Sequence, residues 1–209
     1  SGSEGALSRG FVLDVRSKGD IQAVAEEAIR TFGPIDIWIN NAGVPQNHLP
    51  VADITKGMTD RVLDVNIKGM VYGTQVAIPI MKQQHGMIYN MEGLGSNGMV
   101  IAGEVLYGGS KRFLSYFSKG ANRELRKGSV HVGTLQPGMV FTSFLLDNMT
   151  EEGMIIARIL GSHPDQVARY LVKRMLKGKR RIKYLSTARM IGRFLKYPFM
   201  KQNRDVMPA

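Results

Sequence analysis

Cysteine is absent from the 209-residue sequence, which excludes disulfide frameworks, thiol nucleophiles and thiolate metal sites. Long apolar runs are absent too, since no stretch approaches the roughly 18–20 residues that a membrane-spanning helix needs. The four histidines are scattered without ligand spacing, so no metal site is expected. The remaining composition, 44% hydrophobic and 22% charged, is typical of a globular chain that buries a core without disulfides.

Acidic residues are scarce only at one end of the chain. The formal net charge is +11, yet residues 1–165 carry 15 Lys and Arg against 16 Asp and Glu. Residues 166–209 carry 13 basic residues and one acid, Asp205. The charge run within this segment, residues 173–183, has neither interleaved aromatic residues nor a recognisable binding module, so we expect no nucleic-acid partner.

The basic end includes a predicted amphipathic helix and tail over residues 186–209. Met190, Ile191, Phe194 and Leu195 group together on this helix, and basic residues flank them. The helix can pack its apolar stripe on the body of the molecule and leave its cations in solvent. Alternatively it can lie on an anionic membrane or receive an acidic partner, so peripheral membrane contact is a second expectation.

Short apolar segments alternate with segments of helical periodicity along the rest of the chain. Because the strands are apolar throughout rather than at every second residue, they predict a parallel sheet covered on both faces. The fold class is therefore a doubly wound α/β domain, within residues 1–185. Strands are predicted at 10–14, 35–39, 86–90, 130–135 and 181–185; helices are predicted from a cap at Asp20 to Gly33, and at 55–82, 105–126, 165–177 and 187–196.

Tyr107 and Lys111 are four residues apart, so they share one helix face. A free tyrosine, with a pKa of about 10, is a poor acid–base catalyst at neutral pH. A neighbouring ammonium stabilises the phenolate and lowers that pKa, which is the tuning that a general acid or base needs. Alone the pair is weak support for a function, because Tyr-x-x-x-Lys also occurs by chance on solvated helices.

Four motifs in order raise that support: Asn-Asn-Ala-Gly at 40–43, Asn66, Tyr-Gly-Gly-Ser-Lys at 107–111, and Pro-Gly at 137–138. In order and approximate spacing they resemble the short-chain dehydrogenase/reductase family, from residue 10 to about 185. The resemblance implies a Rossmann-type fold and hydride transfer between NADP or NAD and a small-molecule carbonyl or alcohol. It also implies a homo-oligomer, dimer or tetramer.

The resemblance implies a role for each motif residue. Tyr107 would protonate the carbonyl oxygen, and Lys111 would lower the pKa of the tyrosine and bind the nicotinamide ribose. Asn66 would hold a water that relays protons to Lys111. Asp14 and Val15 would flank the adenine, and Pro137, Gly138 and Thr142 would border the nicotinamide. The remaining residues implied to support the cofactor are Asn41, Ala42, Gly43 and Asn90.

Within the family, residues 35–43, 90–96, 137–140 and 182–185 are similar to chlorophyll(ide) b reductases, which reduce the 7-formyl group of chlorophyll b. The broader family keeps a serine 13 residues before the tyrosine, where this sequence has Leu94. Ser96, 11 residues before Tyr107, is the candidate hydroxyl for polarising the carbonyl. The resemblance implies a cytoplasmic location in a bacterium and a chloroplast, thylakoid-associated one in a plant or alga.

The sequence lacks the family's first strand, its glycine-rich turn and the helix whose N-terminus holds the pyrophosphate. In the strand order 3-2-1-4-5-6, residues 10–14 would form the third strand and residues 35–39 the fourth, so the two strands between them are missing. We therefore expect the natural protein to have an upstream βαβ unit. The alternative function is a catalytically inactive scaffold or a membrane-surface interaction protein.

Overall fold

The computed structural model describes residues 7–83 and 85–197, so the tail predicted after residue 197 lies outside the described residues. Its helices are α1 (Lys18–Phe32), α2 (Lys56–Val62), α3 (Met70–Met81), α4 (Val105–Glu124), α5 (Ser143–Leu146), α6 (Glu151–Leu160), α7 (Pro164–Met175) and α8 (Thr187–Lys196). A π-helical segment, Leu63–Gly69, joins α2 to α3. The strands are β1 (Ile37–Asn40), β2 (Gly86–Met91), β3 (Val130–Gln136) and β4 (Arg181–Lys183).

The four strands form one parallel sheet in the order β1-β2-β3-β4. Neighbouring residues on β2 point to opposite faces of this sheet. Ile88 packs with Met81 of α3 on one face, whereas Tyr89 packs with Leu171 of α7 on the other. Helices thus cover both faces, which confirms the predicted doubly wound α/β fold.

Most predicted elements are present, but residues 10–14 do not form a strand. Strands exist by pairing their backbone groups with a neighbour, and in the described structure this segment has no strand beside it. The side chain of Val12 is accordingly fully exposed. The predicted cap at Asp20 is also wrong, because Ser17 caps α1 by accepting a hydrogen bond from the backbone N–H of Asp20 at 3.2 Å.

Helices α5 and α6 were not predicted from the sequence. The start of α6 does carry a local signal, because Thr150 accepts a hydrogen bond from the Gly153 N–H at 3.1 Å. Glu151 and Glu152 follow it in the first turn, where the helix dipole favours negative charge. This combination of cap and acidic first turn would have placed the helix.

The outer edge of β1 borders an apolar cleft of about 470 Å³. Within the described residues, no strand pairs with this edge. Leu13, Val15 and apolar residues of α1 also line this cleft. Sequence reasoning placed missing strands beside this same edge.

No helix in the described ranges is long and apolar enough to cross a bilayer.

Candidate active site

Helix α4 carries Tyr107 and Lys111 past the carboxyl ends of β1 and β2. Both side chains are buried, Tyr107 with 9% and Lys111 with 4% of its surface exposed. The Nζ atom of Lys111 lies 5.6 Å from the centre of the Tyr107 ring. The structure therefore brings together the pair that the sequence placed on one helix face.

Gly43, just beyond β1, is the point where Lys111 and Asn66 converge. A Cβ atom built on Gly43 would lie 3.2 Å from Lys111 Nζ and 3.4 Å from Asn66 Oδ1. The first separation is tighter than most real Cβ contacts and the second is at the limit of ordinary contact, so a larger residue would push against the ammonium. The glycine of the Asn-Asn-Ala-Gly motif thus lets the loop after β1 reach the lysine.

Asn66 lies in the π-helical segment and is fully buried. Its Oδ1 accepts a hydrogen bond from the Val44 N–H at 2.8 Å, and its Nδ2 donates to the Val44 carbonyl at 3.0 Å. The same Nδ2 donates to Ser110 Oγ at 3.1 Å. Asn66 therefore ties the loop after β1 to α4, and the water relay implied for it stays a prediction.

The Lys111 ammonium is buried, and this burial lowers its pKa to about 8. Its hydrogen-bond acceptor in the described structure is the carbonyl of Met91, at the long distance of 3.4 Å. An ammonium carries three protons, so Lys111 retains capacity to donate to hydroxyl groups of a bound molecule.

Burial raises the pKa of Tyr107 well above its usual value, and the nearby charge of Glu104 raises it further. This direction is the reverse of the lowering that the sequence predicts from Lys111. Burial also raises the pKa of Glu104, although His48, with Nε2 3.5 Å from Oε1, works against that rise. Tyr107 is therefore a neutral phenol at pH 7, the form that can donate a proton.

Gln46 contributes to the site and was missed by sequence reasoning. Its side chain is fully buried, and its Oε1 accepts hydrogen bonds from the backbone N–H groups of Leu106 at 2.7 Å and Tyr107 at 3.0 Å. Its Nε2 donates to the Leu49 carbonyl at 2.9 Å. Since Glu104, the residue preceding α4, makes no side-chain cap, Gln46 caps the helix from a distant loop. Only the folded chain brings them together, so no local pattern marks it.

Ser96 is buried with its hydroxyl engaged by the backbone of Gly93. The Oγ atom donates to the Gly93 carbonyl at 2.6 Å and accepts from the Gly93 N–H at 2.9 Å. A Cβ atom on Gly93 would lie 2.6 Å from the Tyr107 hydroxyl, so this loop passes directly against the phenol. Ser96 thereby fixes the backbone next to Tyr107, and its role in polarising a carbonyl stays a prediction.

Asn90, at the end of β2, belongs to a network of side chains rather than to an open surface. Its Oδ1 accepts from Asn40 Nδ2 at 2.8 Å, and its Nδ2 donates to Ser118 Oγ at 2.8 Å. Asn40 Oδ1 accepts in turn from the indole of Trp38 at 2.8 Å. Asn90 therefore joins β1, β2 and α4, and it would support a cofactor through the elements that it holds.

The other predicted cofactor residues lie at two places. Val15, Asn41 and Ala42 line the cleft beside β1, and Asp14 pairs with Arg16 at 2.6 Å on the exposed surface next to it. Pro137, Gly138 and Thr142 follow β3 in the connection to α5.

Gly138 has a φ of +77°, and a Cβ atom there would lie 2.8 Å from Leu185 Cβ. A glycine is needed at this turn because both its backbone conformation and its space exclude a side chain. In residues 7–83 and 85–197, no three His, Asp or Glu side chains gather in a way that could hold a metal ion.

Comparison with known proteins agrees with this geometry. The sequence model for short chain dehydrogenases matches residues 2–153. A probable chlorophyll(ide) b reductase, NYC1 of Arabidopsis thaliana, is 33% identical over 187 residues, which cover 87% of this chain and 38% of that protein. Chlorophyll(ide) b reductase NOL of Oryza sativa is 33% identical over 170 residues, which cover 78% and 50%.

A solved structure extends the comparison to three dimensions. A metagenomic short-chain oxidoreductase in complex with NADP is 27% identical, with a TM-score of 0.54 over 58% of this chain and 55% of that chain. The present chain spans half or less of the two plant reductases that it matches.

Proposed function

The chain belongs to the short-chain dehydrogenase family, and from this premise we propose that it reduces a carbonyl compound with a nicotinamide cofactor. The observation that carries the proposal is the buried pair of Tyr107 and Lys111, which meets Gly43 at the carboxyl edge of the sheet. A neutral phenol can give its proton to a carbonyl oxygen, and a neighbouring ammonium stabilises the phenolate that remains.

The residues around Lys111 fit a bound cofactor. The ammonium is buried, keeps one distant acceptor and faces Gly43, so it can donate to ribose hydroxyls. Asn41, Ala42 and Gly43 would hold the cofactor at the end of β1. When bound, the reduced nicotinamide supplies the hydride that the carbonyl carbon accepts. We propose that the remaining cofactor residues lie along the two ends of the same molecule. Asp14 and Val15 would flank its adenine, and Pro137, Gly138 and Thr142 would border its nicotinamide.

Either NADP or NAD is compatible with this proposal. One solved relative contains NADP. The described residues that surround Lys111 bind the part of the molecule that the two cofactors share, so they do not discriminate between them.

We propose an apolar, formyl-bearing substrate, with the 7-formyl group of chlorophyll b as the specific candidate. Two chlorophyll(ide) b reductases among the relatives support it, each at 33% identity. Exposed apolar side chains next to Tyr107 support it as well. The ring of Phe144 lies 6.2 Å from that of Tyr107, and Leu94 adjoins the loop that contacts the phenol. Both are 42% exposed, so a large apolar molecule would bury them.

Replacing Tyr107 with Phe tests the assigned proton donor. The change removes only the hydroxyl, so the fold should persist while turnover falls by about 10²–10⁴-fold. Turnover is measured as oxidation of NADPH or NADH in the presence of chlorophyllide b, or of an aromatic aldehyde, with the alcohol product separated by chromatography. Tyr116→Phe is the matched control, because Tyr116 lies on the same helix and is 80% exposed.

Retention of the rate in Tyr107→Phe would refute the assigned donor. Loss of the rate in both variants would point to damage to α4 instead. Reduction of the aldehyde but not of chlorophyllide b would retain the reaction type and reject the pigment as substrate.

A catalytically inactive scaffold is the second candidate, and one observation favours it. Leu94 stands where the family keeps its serine, and the nearby Ser96 hydroxyl is engaged by the backbone of Gly93. Fluorescence titration with NADPH separates the two candidates, because a scaffold gives no saturable signal whereas the proposed reductase does. The homo-oligomer and the upstream βαβ unit stay predictions.

A further inference from the structure

Helix α8 packs on the body through Arg189, Arg193 and Met190, whereas its other large apolar residues are exposed. Arg193 donates hydrogen bonds to the Leu160 carbonyl at 2.6 Å and to Ser162 Oγ at 2.7 Å, at the end of α6. Arg189 donates to the Tyr184 carbonyl, and its guanidinium lies 4.3 Å from the centre of the Tyr184 ring. These contacts fix the rotation of α8 about its own axis.

The opposite side of α8 is apolar and exposed. Ile191, Phe194 and Leu195 are 56%, 48% and 69% exposed, and a helical step of about 100° per residue puts them on one side. Lys196 is also exposed, about 100° around the helix from Leu195. Of the two arrangements left open by the sequence, the structure contradicts the one in which the whole apolar stripe packs on the body.

Helix α7 also has an exposed face that carries aliphatic and basic side chains. Val172 and Leu176, 46% and 74% exposed, are one turn apart. The exposed cations Arg169, Lys173 and Lys177 share that side of the helix. Aliphatic and basic side chains therefore alternate along its C-terminal part, and Asp165 in the first turn is the acidic residue on the same side.

The two faces belong to neighbouring helices. Arg174 of α7 and Arg189 of α8 both lie over the Tyr170 ring, with guanidinium carbons 3.8 Å and 4.8 Å from its centre. The Tyr170 hydroxyl also donates to the Lys183 carbonyl at 3.2 Å, at the end of β4. We name the exposed side chains of residues 169–183 and 191–196 together the basic-apolar surface.

The charge of this surface is uncompensated. Between residues 166 and 197 the chain has eleven Lys and Arg and no Asp or Glu. In the described part of the chain, none of these eleven cations forms a salt bridge with a carboxylate. An occupant of this surface must therefore supply negative charge as well as an apolar phase.

We propose that the basic-apolar surface binds an anionic lipid bilayer, with α8 lying in the interface plane. Aliphatic and aromatic side chains would enter the acyl boundary, while the cations meet anionic headgroups. A second copy of the chain fits less well, because it would set one cationic surface against another. A nucleic acid would neutralise the charge but offers no apolar phase for Ile191, Phe194 and Leu195.

The test is co-sedimentation of the full chain with vesicles of phosphatidylcholine and phosphatidylserine, against vesicles of phosphatidylcholine alone. Binding is expected to the anionic vesicles and to weaken with added salt. Leu195→Gln should lower the partition coefficient by about tenfold or more, because a leucine side chain no longer leaves water. Leu7→Gln is the matched control, since Leu7 is 88% exposed and lies outside this surface.

The electrostatic part has its own variants. Lys173→Gln and Lys177→Gln should each weaken binding to anionic vesicles by about fivefold, as expected for a lysine near an anionic surface. Lys56→Gln, at a side chain that pairs with Asp60 on α2, should leave vesicle binding unchanged. Circular dichroism checks that each variant is folded.

Several results would overturn the proposal. They are no sedimentation with anionic vesicles, equal binding to phosphatidylcholine alone, equal losses in Leu195→Gln and Leu7→Gln, or capture of an RNA oligonucleotide in preference to vesicles. Self-association that Leu195→Gln abolishes in the absence of lipid would instead identify a second copy as the occupant, and also overturn it.

Discussion

The proposed role of Lys111 needs a charged ammonium, whereas its burial disfavours that charge. Its ammonium is 4% exposed and its pKa is lowered to about 8, so the folded state holds a charge in a place that disfavours charge. The loss of folding free energy from this buried charge is complete below pH 8, where the lysine is protonated in both the folded and the unfolded state. It decreases between pH 8 and 10.5, where the folded state has lost the proton and the unfolded state keeps it.

Lys111→Met should therefore make the fold more stable at pH 7, by up to about 3 kcal/mol, while it removes catalysis. The free energy of unfolding of the wild type should rise between pH 8 and 10.5, and that of the variant should not share this rise. Urea unfolding at several pH values measures both. Lys119→Met, an exposed lysine on the same helix, is the control; a destabilised Lys111→Met would contradict the prediction.

Gln46 positions Tyr107 by capping the helix that carries it. Gln46→Met keeps the size of the side chain but leaves the part-buried Leu106 N–H and the buried Tyr107 N–H without this acceptor, which should cost about 1–3 kcal/mol of stability and lower kcat. Gln46→Glu keeps the acceptor oxygen but loses the amide that donates to the Leu49 carbonyl, so it should restore only part of the stability. Its negative charge beside the backbone of Tyr107 should raise the pKa of Tyr107 and move the alkaline fall in kcat to higher pH.

A pH profile distinguishes these roles. A purely structural Gln46 would change stability in both variants and leave the pH dependence of kcat unmoved. Wild-type kcat and stability in Gln46→Met would remove the residue from the site altogether.

At the scale of elements, Gly133 sets how closely β4 approaches β3. A Cβ atom on Gly133 would lie 2.1 Å from the carbonyl oxygen of Arg180, a separation that no packing permits. Gly133→Ala must displace the backbone that leads into β4, so we expect a loss of about 1–3 kcal/mol, as for overpacking in a core. Thermal unfolding measures it.

Gly109→Ala is the matched control for that change. A Cβ atom there meets nothing within 4 Å, and alanine in a helix interior is favoured over glycine by about 0.5–1 kcal/mol. The two glycine substitutions should therefore differ in sign. Equal changes in thermal stability in the two variants would show that the close approach of the Arg180 carbonyl does not explain the loss in Gly133→Ala.

The elements that the sequence predicted well are those whose signal is local. The periodicity of α4, β2 and β3 and the spacing of Tyr107 and Lys111 depend only on neighbouring residues, and the structure contains all of them. Residues 10–14 show the limit of such signals, since a strand also needs a neighbour. Gln46 and the raised pKa of Tyr107 could not be predicted, because they depend on burial and on contacts between segments about 60 residues apart.

At the scale of the whole molecule, the charge count located the basic end correctly but not its orientation. Periodicity shows that α8 has an apolar and a basic side, and it does not say which side turns inward. The packing decides this, because Arg189 and Arg193 find carbonyl acceptors on the body. The membrane proposal, with Leu195→Gln as its test, depends on that orientation.

The π-helical segment Leu63–Gly69 also governs which insertions and deletions the chain tolerates. It accommodates extra residues per turn, and so sets the rotational phase between α2 and α3. Deleting one residue there would rotate α3 by about 100° and carry Val76 and Ala77 out of the core. A compensating insertion nearby would be needed to restore the rotation of α3 relative to α2. Among homologues, length variation should therefore fall in the exposed loop after Ser96 and spare this segment.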